Sequence, residues 1–439
     1  MKKILLVITI GVIFSSETNA QQSPNLANAA TLSPTTEKAI KMGEENVSLF
    51  TGVPQIGVPV YSYSNRGNSL SLNISLDYYA GGIGVDEAPT FTGLGWYLNA
   101  GGIITRIVRG GPDEGNDYLT SGFLYTDTIA NDWRSKGAQY YNDTLDAEQD
   151  VFQFQFNGRS GTFYIGKNGQ VVQTPMTKMK IIPVMNVKDM AAFKIITEDG
   201  VSYIFDKPEF TTFYYGSPND LDPTYISGSR SSWSLTKIIS PFKTDTIQLN
   251  YISKDITRPF EYPEMVYLRN SDGVRTKNLT KVGGFTSSSM NKISSIIFPD
   301  QTNVSFYYDT LSYYGKDQAL LTIKIADTTF RKGFLLQYEK KDSNNNYSRL
   351  LLKNITPTSY TLKGRGYTFG YGLPGLSPLP SSGINTMNNS SDYWGYYNGA
   401  INDSTSIPNV DGYNWQANRT PNINYAMAAT LKTLYLPTG

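Results

Sequence analysis

From Leu70 to Leu76 every second residue is apolar: Leu70, Leu72, Ile74 and Leu76 alternate with Ser and Asn. Strict period two puts all four on one face of a strand and scatters them around a helix, so it specifies a β-strand with one dry side. The pattern begins near Val47 with VSLF and PQIGVPVYSYS, and the turn NRGN at 65–68 lies between two such runs, which predicts a hairpin. It returns in DVFQFQF, where Val151, Phe152, Phe154 and Phe156 lead to turns at Asn157-Gly158 and Asn168-Gly169. FKIITEDGVSYIFD turns at Asp199-Gly200. Asn-Gly and Asp-Gly between alternating runs are the strongest short hairpin signals. The expected fold is all-β, built from successive antiparallel hairpins. One short helix is predicted, opened by Pro34 and running into TTEKAIKMGEE.

The second half repeats itself. LTKIISPFKTDTIQLNY (Leu235–Tyr251), SSIIFPDQTNVSFYY (Ser294–Tyr308) and LKNITPTSYTLKGRGYTFGY (Leu352–Tyr371) each run an apolar strand to a Pro, turn, and end an alternating strand on Tyr. Pro241, Pro299 and Pro357 are expected at strand ends, where sheets tolerate Pro. A further copy starts at Leu431 as LKTLYLPTG and stops in its turn, so the chain is expected to be part of a longer repeat protein.

Composition narrows the chemistry. The 439 residues include 0 Cys and 0 His, which excludes a Cys/His zinc site, a Ser-His-Asp triad, a Cys nucleophile and disulfides. Carboxylates, Lys, Tyr, Ser, Thr and oxygen-ligated metals remain open. Charged residues are 17% against about 25% in typical domains, while aromatics reach 13%, the balance of a secreted β-protein. Burial alone must hold such a chain.

The start has three zones: Lys2 and Lys3, the apolar run Ile4–Phe14, and SSETNA ending at Ala20. This is the layout of a cleavable signal peptide over residues 1–20, leaving Gln21 first. Removing it takes basic residues from 38 to 36 and acidic ones from 37 to 36, so the mature chain is formally neutral. No basic block exceeds a pair, which argues against a nucleic-acid partner. No later apolar run approaches the ~18 residues of a membrane helix. The expected location is the periplasm, the outer-membrane surface or outside the cell.

Residues 80–112 are rich in Gly, at 81, 82, 84, 93, 95, 101, 102, 110 and 111, but match neither G-x-G-x-x-G nor a P-loop. Tight turns and close backbone approach explain them, with Trp96 and Leu98 as buried anchors. Asp113, Glu114 and Asp117 in GGPDEGND, and Asp220 and Asp222 in NDLDPT, offer hard oxygen ligands, but no calcium-loop spacing surrounds them, and a solvated acidic turn is the default expectation. Asp86-Glu87 and Asp113-Glu114 are carboxylate pairs of the type glycosidases use, although adjacent strand residues point to opposite faces. Tyr78, Tyr79, Tyr393, Trp394, Tyr396 and Tyr397 are expected to pack between strands, with sugar contact as the alternative. Arg106 and Arg109 are expected on opposite faces of a strand, capping a sheet edge or pairing with the acidic loop that follows. No residue is assigned as catalytic, cofactor-binding or metal-ligating.

FTGVPQIGVPVY (50–61), ISLDYYAGGIGVDE (74–87), GLGWYLNAGGIITRIVRGGPDE (93–114), EDGVSYIFD (198–206), SSWSLTKIISP (231–241), DYWGYYNG (392–399) and LKTLYLPTG (431–439) together resemble the N-terminal region of RHS-repeat, or YD-repeat, proteins of the Bacteroidota, related to the front end of toxin-complex B components. The resemblance spans most of the chain, and the block at 93–114 is its most specific part. It implies an exported β-rich protein whose downstream repeats wrap into a hollow shell around a variable C-terminal toxin or effector. No run here carries the family's D-x-x-G-R core, so it is the front of such a protein that is resembled.

The expected organisation is a signal peptide at 1–20, a lead segment with a short helix at 21–48, a Gly-rich β domain of sandwich or barrel type at 49–230, and hairpin repeats opening a curved YD-type shell at 231–439. The expected function is an exported, non-enzymatic scaffold partnered by downstream repeats or a toxin domain of the same polypeptide, with secretion machinery or cell-surface glycans as further partners. A carbohydrate-binding surface module and a carboxylate-dependent glycoside hydrolase are the alternatives.

Overall fold

A computed structural model describes residues 33, 35–36, 38, 56–65, 67, 70–85, 87–109, 112–114, 148–166, 169–186, 189–215, 224–261, 265–271, 274–280, 283–313, 317–327, 331–339, 350–359, 365–372, 390–400, 402 and 417–437. Residues 1–20, where a signal peptide is expected, lie outside the described residues, as do Asp86, Asp117, Asp220 and Asp222.

The chain is all-β. Its strands are β1 (Ile56–Ser64), β2 (Ser71–Tyr78), β3 (Trp96–Asn99), β4 (Gly102–Ile107), β5 (Val151–Phe156), β6 (Arg159–Ile165), β7 (Val171–Thr174), β8 (Lys180–Met185), β9 (Met190–Ile196), β10 (Ser202–Tyr215) and β11 (Thr224–Ile239). They continue as β12 (Thr246–Glu261), β13 (Met265–Ser271), β14 (Val274–Thr280), β15 (Gly283–Ile297), β16 (Asn303–Tyr313), β17 (Asp317–Ala326), β18 (Arg331–Glu339), β19 (Leu351–Ser359), β20 (Tyr367–Tyr371) and β21 (Leu431–Tyr435). A one-turn helix, α1 (Ile423–Ala426), precedes β21, and Thr35, Thr36 and Lys38 are also helical. No helix among the described residues is long and apolar enough to cross a membrane.

Alternation does what the sequence demands of it. Leu72, Ile74, Leu76 and Tyr78 of β2 are buried while Ser71 and Asn73 face out, and β1 pairs antiparallel with β2 across the turn at Asn65. On β5, Phe152, Phe154 and Phe156 are buried, and Phe152 stacks on Phe163 of β6 at 5.1 Å. Asn157 and Gly158 both take positive φ, the type I′ geometry that Asn-Gly supplies without strain. At Asp199-Gly200 only the glycine is left-handed, and the loop closes through Thr197 and Val201.

β1, β2 and β3 form one sheet, β13 and β14 a ribbon, and the other 16 strands one large antiparallel sheet that runs from β7 at one edge to β21 at the other. The three-stranded sheet packs on the large one through rings: Trp96 lies 4.6 Å from Phe369, and Tyr63 lies 4.6 Å from Phe298. One apolar cluster runs from Val58 to Phe369, so position 230, inside β11, is not a break in the core. Each fully buried large apolar side chain contributes roughly 1.5–3 kcal/mol. Within the large sheet β10, β11, β12 and β15 pair in a ring, because β12 leaves β11 after three residue pairs and follows β15 instead.

Pro241 and Pro299 come just after β11 and β15, as expected. Pro357 lies within β19: it pairs with Phe334 of β18, but β20 is paired only as far as Ile355, so the missing N–H breaks no pair on that side.

Candidate functional site

Four hairpins, β11–β12, β15–β16, β17–β18 and β19–β20, share one geometry. Moving away from the turn, their last residue pairs are Lys237↔Gln248, Ser295↔Ser305, Thr322↔Leu335 and Asn354↔Thr368. Beyond that point the strands part. In each, a tyrosine three residues further along the second strand donates its hydroxyl to the carbonyl two residues back on the first. The bonds are Tyr251 to Leu235 at 2.7 Å, Tyr308 to Ile293 at 2.8 Å, Tyr338 to Leu320 at 2.7 Å and Tyr371 to Leu352 at 2.6 Å. A parted ladder leaves carbonyls without partners, and a buried unmade bond costs ~1–3 kcal/mol, so the tyrosine is a strut across the opening. Burial pushes the phenols of Tyr251, Tyr338 and Tyr371 upward, which keeps them protonated and able to donate.

The Gly-rich block and the Tyr78 that precedes it reach two of these openings, β17–β18 and β19–β20, and the start of β21. Leu320 N–H donates to Phe91 O at 2.7 Å, Leu94 N–H to Leu350 O at 2.7 Å, Leu431 N–H to Tyr78 Oη at 2.8 Å and Trp96 Nε1 to Tyr371 Oη at 2.9 Å. Close approach sets the residue type: a Cβ on Gly93, where φ is +113°, would stand 3.2 Å from Leu350 O, and one on Gly95 would stand 2.5 Å from the Tyr78 ring. Burial pushes the Tyr78 phenol up to about 12.

The acidic loop carries an outcome the sequence only half indicated. Arg106 is buried; its NH1 and NH2 groups grip Glu114 at 2.8 and 2.5 Å, and its Nε donates to Asp150 at 2.6 Å. Pairing with the loop that follows is what the structure shows for Arg106. Asp113 is buried too: it accepts from the Asp150 N–H, and its own N–H donates to Asp150, both at 3.2 Å. Asp113 and Glu114 are therefore not a solvated turn. Burial works to raise the Glu114 carboxyl, and the Arg106 fork overcomes it and holds it below the usual range. No group of three or more acidic residues fit to hold a metal occurs among the described residues.

A second buried carboxylate, which sequence reasoning missed, is Glu209 on β10. It accepts from Asn291 N–H at 2.7 Å, Ser232 Oγ at 2.8 Å and Thr36 Oγ1 at 3.0 Å, and lines a cavity of ≈ 50 Å³ with Tyr97 and Tyr251. Burial outweighs these donors and raises its carboxyl. Thr36 thus ties the N-terminal segment to β10 of the large sheet, and Lys38, whose Nζ lies 2.5 Å from Glu87, ties it to the Gly-rich connection between β2 and β3.

The six candidate aromatics divide. Tyr78 is buried, Tyr79 lies under the Lys38 ammonium, Tyr396 donates to Gly81 O at 3.0 Å, and Tyr397 packs edge-on against Tyr425. Tyr393 and Trp394 stand out at 63% and 71% exposure, on a turn pinned by Asp392 Oδ1, which accepts from the N–H groups of Trp394 and Tyr396 at 2.9 Å.

Sequence reasoning also missed the β17–β18 unit, which has no proline to mark its turn. Its signal is the step from Leu320 to Ile323, three residues, the same as from Leu235 to Ile238, with an alternating strand ending on Tyr338 as the other ends on Tyr251.

Among known proteins, the chain matches no family model and no curated sequence.

Proposed function

We propose that this chain is an exported, non-enzymatic scaffold, the N-terminal part of an RHS/YD-repeat protein of polymorphic-toxin or cell-surface type, which encloses or presents a domain of the same polypeptide. The observation that carries this reading is the serial hairpin with its tyrosine strut, four times over in one sheet. A sheet that grows by adding one module can be extended to any size, and each module is held by burial and local hydrogen bonds. The buried carboxylates support the same reading, since Asp113, Glu114 and Glu209 are bound into structural networks. The test is the coding sequence beyond the Gly439 codon. Continuation into YD-type repeats and a variable tail is the expected result; a stop codon there overturns the reading.

A carbohydrate-binding module is a second reading, favoured by the exposed Tyr393–Trp394 turn with the Arg419 guanidinium 5.2 Å above the Tyr393 ring. Flat aromatic faces beside polar donors suit pyranose rings. A glycan-array signal abolished by Trp394→Ala supports it, and an array without signal removes it.

A further inference from the structure

Each strut tyrosine has a second neighbour. Tyr251 pairs with Ile293, Tyr308 with Leu320, Tyr338 with Leu352 and Tyr371 with Leu431, and in every case the register shifts between the tyrosine and the residue just before it. Ile293, Leu320 and Leu352 are the residues whose carbonyls receive the strut of their own hairpin. Leu431 occupies the same place on β21. So β21 lies in the register of a hairpin's first strand.

Its side chains show what it lacks. Three residues beyond the strut acceptor stand Ile238, Ile296, Ile323 and Ile355, each with 0% exposure. The corresponding residue of β21 is Leu434, and it is 38% exposed. Leu436, which precedes Pro437 as Phe298 precedes Pro299, is exposed where Phe298 is buried. Among the described strands β21 pairs with β20 alone. An edge strand with outward apolar residues and an unpaired backbone row is a template for strand addition.

We infer that β21 is the receiving strand for an antiparallel β-strand of the same design as β12, β16, β18 and β20, docked with a tyrosine three residues past the partner of Thr433 so that its hydroxyl reaches the Leu431 carbonyl. The inference rests on the scaffold reading for the source of that strand; the acceptor itself is defined by register. The incoming strand covers Leu434 and Leu436 and closes a fifth hairpin of the series.

The test offers the full chain a synthetic peptide with the sequence of β16, Asn303–Tyr313, in which Ser305 takes the place opposite Thr433 and Tyr308 is the strut. Amide hydrogen exchange of residues 431–436 is expected to slow about tenfold or more with excess peptide, while β7 at the opposite edge stays unchanged. The Tyr308→Phe peptide should protect less, and Leu434→Asp in the protein should abolish protection while β1 and β2 exchange as before, which reports an intact fold. No slowing at saturating peptide, or equal slowing by a scrambled peptide, overturns the inference. Protection that rises with protein concentration and needs no peptide also overturns it, since β21 would then pair with a second copy. Peptide protection combined with a stop codon after Gly439 leaves the acceptor standing and removes only the longer-polypeptide reading.

Discussion

Tyr338 Oη donates to the Leu320 carbonyl at 2.7 Å across the mouth of the β17–β18 hairpin, joining residues 18 positions apart where the ladder between their strands has already ended. Phe91 O accepts the Leu320 N–H, so both backbone groups of Leu320 are satisfied by partners outside its own hairpin ladder. The parting of the strands is thus a built feature: polar groups released by the opening are taken up by a tyrosine from one side and the Gly-rich block from the other.

Tyr338→Phe keeps the ring and removes the hydroxyl. The Leu320 carbonyl then loses its donor in a buried place, and the expected loss is about 1–2 kcal/mol. Tyr393→Phe, on the exposed turn, should stay within about 0.5 kcal/mol. Urea unfolding of both variants measures the difference; equal midpoints would mean the strut bond carries no net stability.

Gly93→Ala adds a methyl where φ is +113° and the Leu350 carbonyl lies 3.2 Å from the new carbon. Backbone strain and crowding together predict a loss of about 1–3 kcal/mol. Gly158→Ala is the control: its φ is +73° but nothing stands within 4 Å, so it should lose less. Thermal unfolding ranks the two, and the reverse order would sink the close-approach account of the Gly-rich block.

Much of this was legible in sequence and some could not be. Leu70–Leu76, Phe152–Phe156 and the Asn157-Gly158 turn write their structure in period two and positive φ, which are local properties. The partners of Arg106 were legible only in part: Glu114 is eight residues away, whereas Asp150 is 44, and no local pattern points across that separation. Glu209 reads as an ordinary strand residue because its donors, Thr36, Ser232 and Asn291, come from three distant segments. The β17–β18 hairpin has no Pro at its turn; what recurs in all four is the three-residue step from the strut acceptor to a buried Ile, while the distance on to the Tyr varies with the length of the turn.

Arg106→Ala leaves Asp150 and Glu114 buried without their cation. Breaking a buried pair in this way typically costs ~3–5 kcal/mol. In the intact protein the Glu114 carboxyl titrates below its ordinary value of 4.5, so its contribution is present above that pH and is lost as pH falls through the lowered folded value. The variant should lose this acid-limb dependence along with its stability. Denaturant titrations between neutral and acid pH decide it, with an unchanged acid slope as the contrary result.

Export with cleavage after Ala20 predicts a mature chain starting at Gln21. N-terminal sequencing of the protein recovered outside the cytoplasm of a Gram-negative host should read Gln-Gln-Ser-Pro-Asn. Recovery from the cytoplasm with Met1 in place would count against the exported scaffold.

Glu209 gives the sheet a pH dependence of opposite sign. Its carboxyl is raised above 4.5 by burial, despite donors from Asn291, Ser232 and Thr36. The folded protein therefore binds this proton more tightly than the unfolded chain does. The stabilisation is complete below 4.5 and is lost as pH rises through the raised folded value. Glu209→Gln holds the group neutral at every pH and keeps an oxygen for the Asn291 N–H, while the Ser232 and Thr36 hydroxyls can rotate to suit the new amide. The two proteins should differ least below 4.5, and the variant should gain relative to wild type as the pH rises from there to 8. Unfolding free energies measured in parallel across that range give the difference directly, and two parallel curves would show that Glu209 is charged in both states and that its donors, not burial, set its pKa.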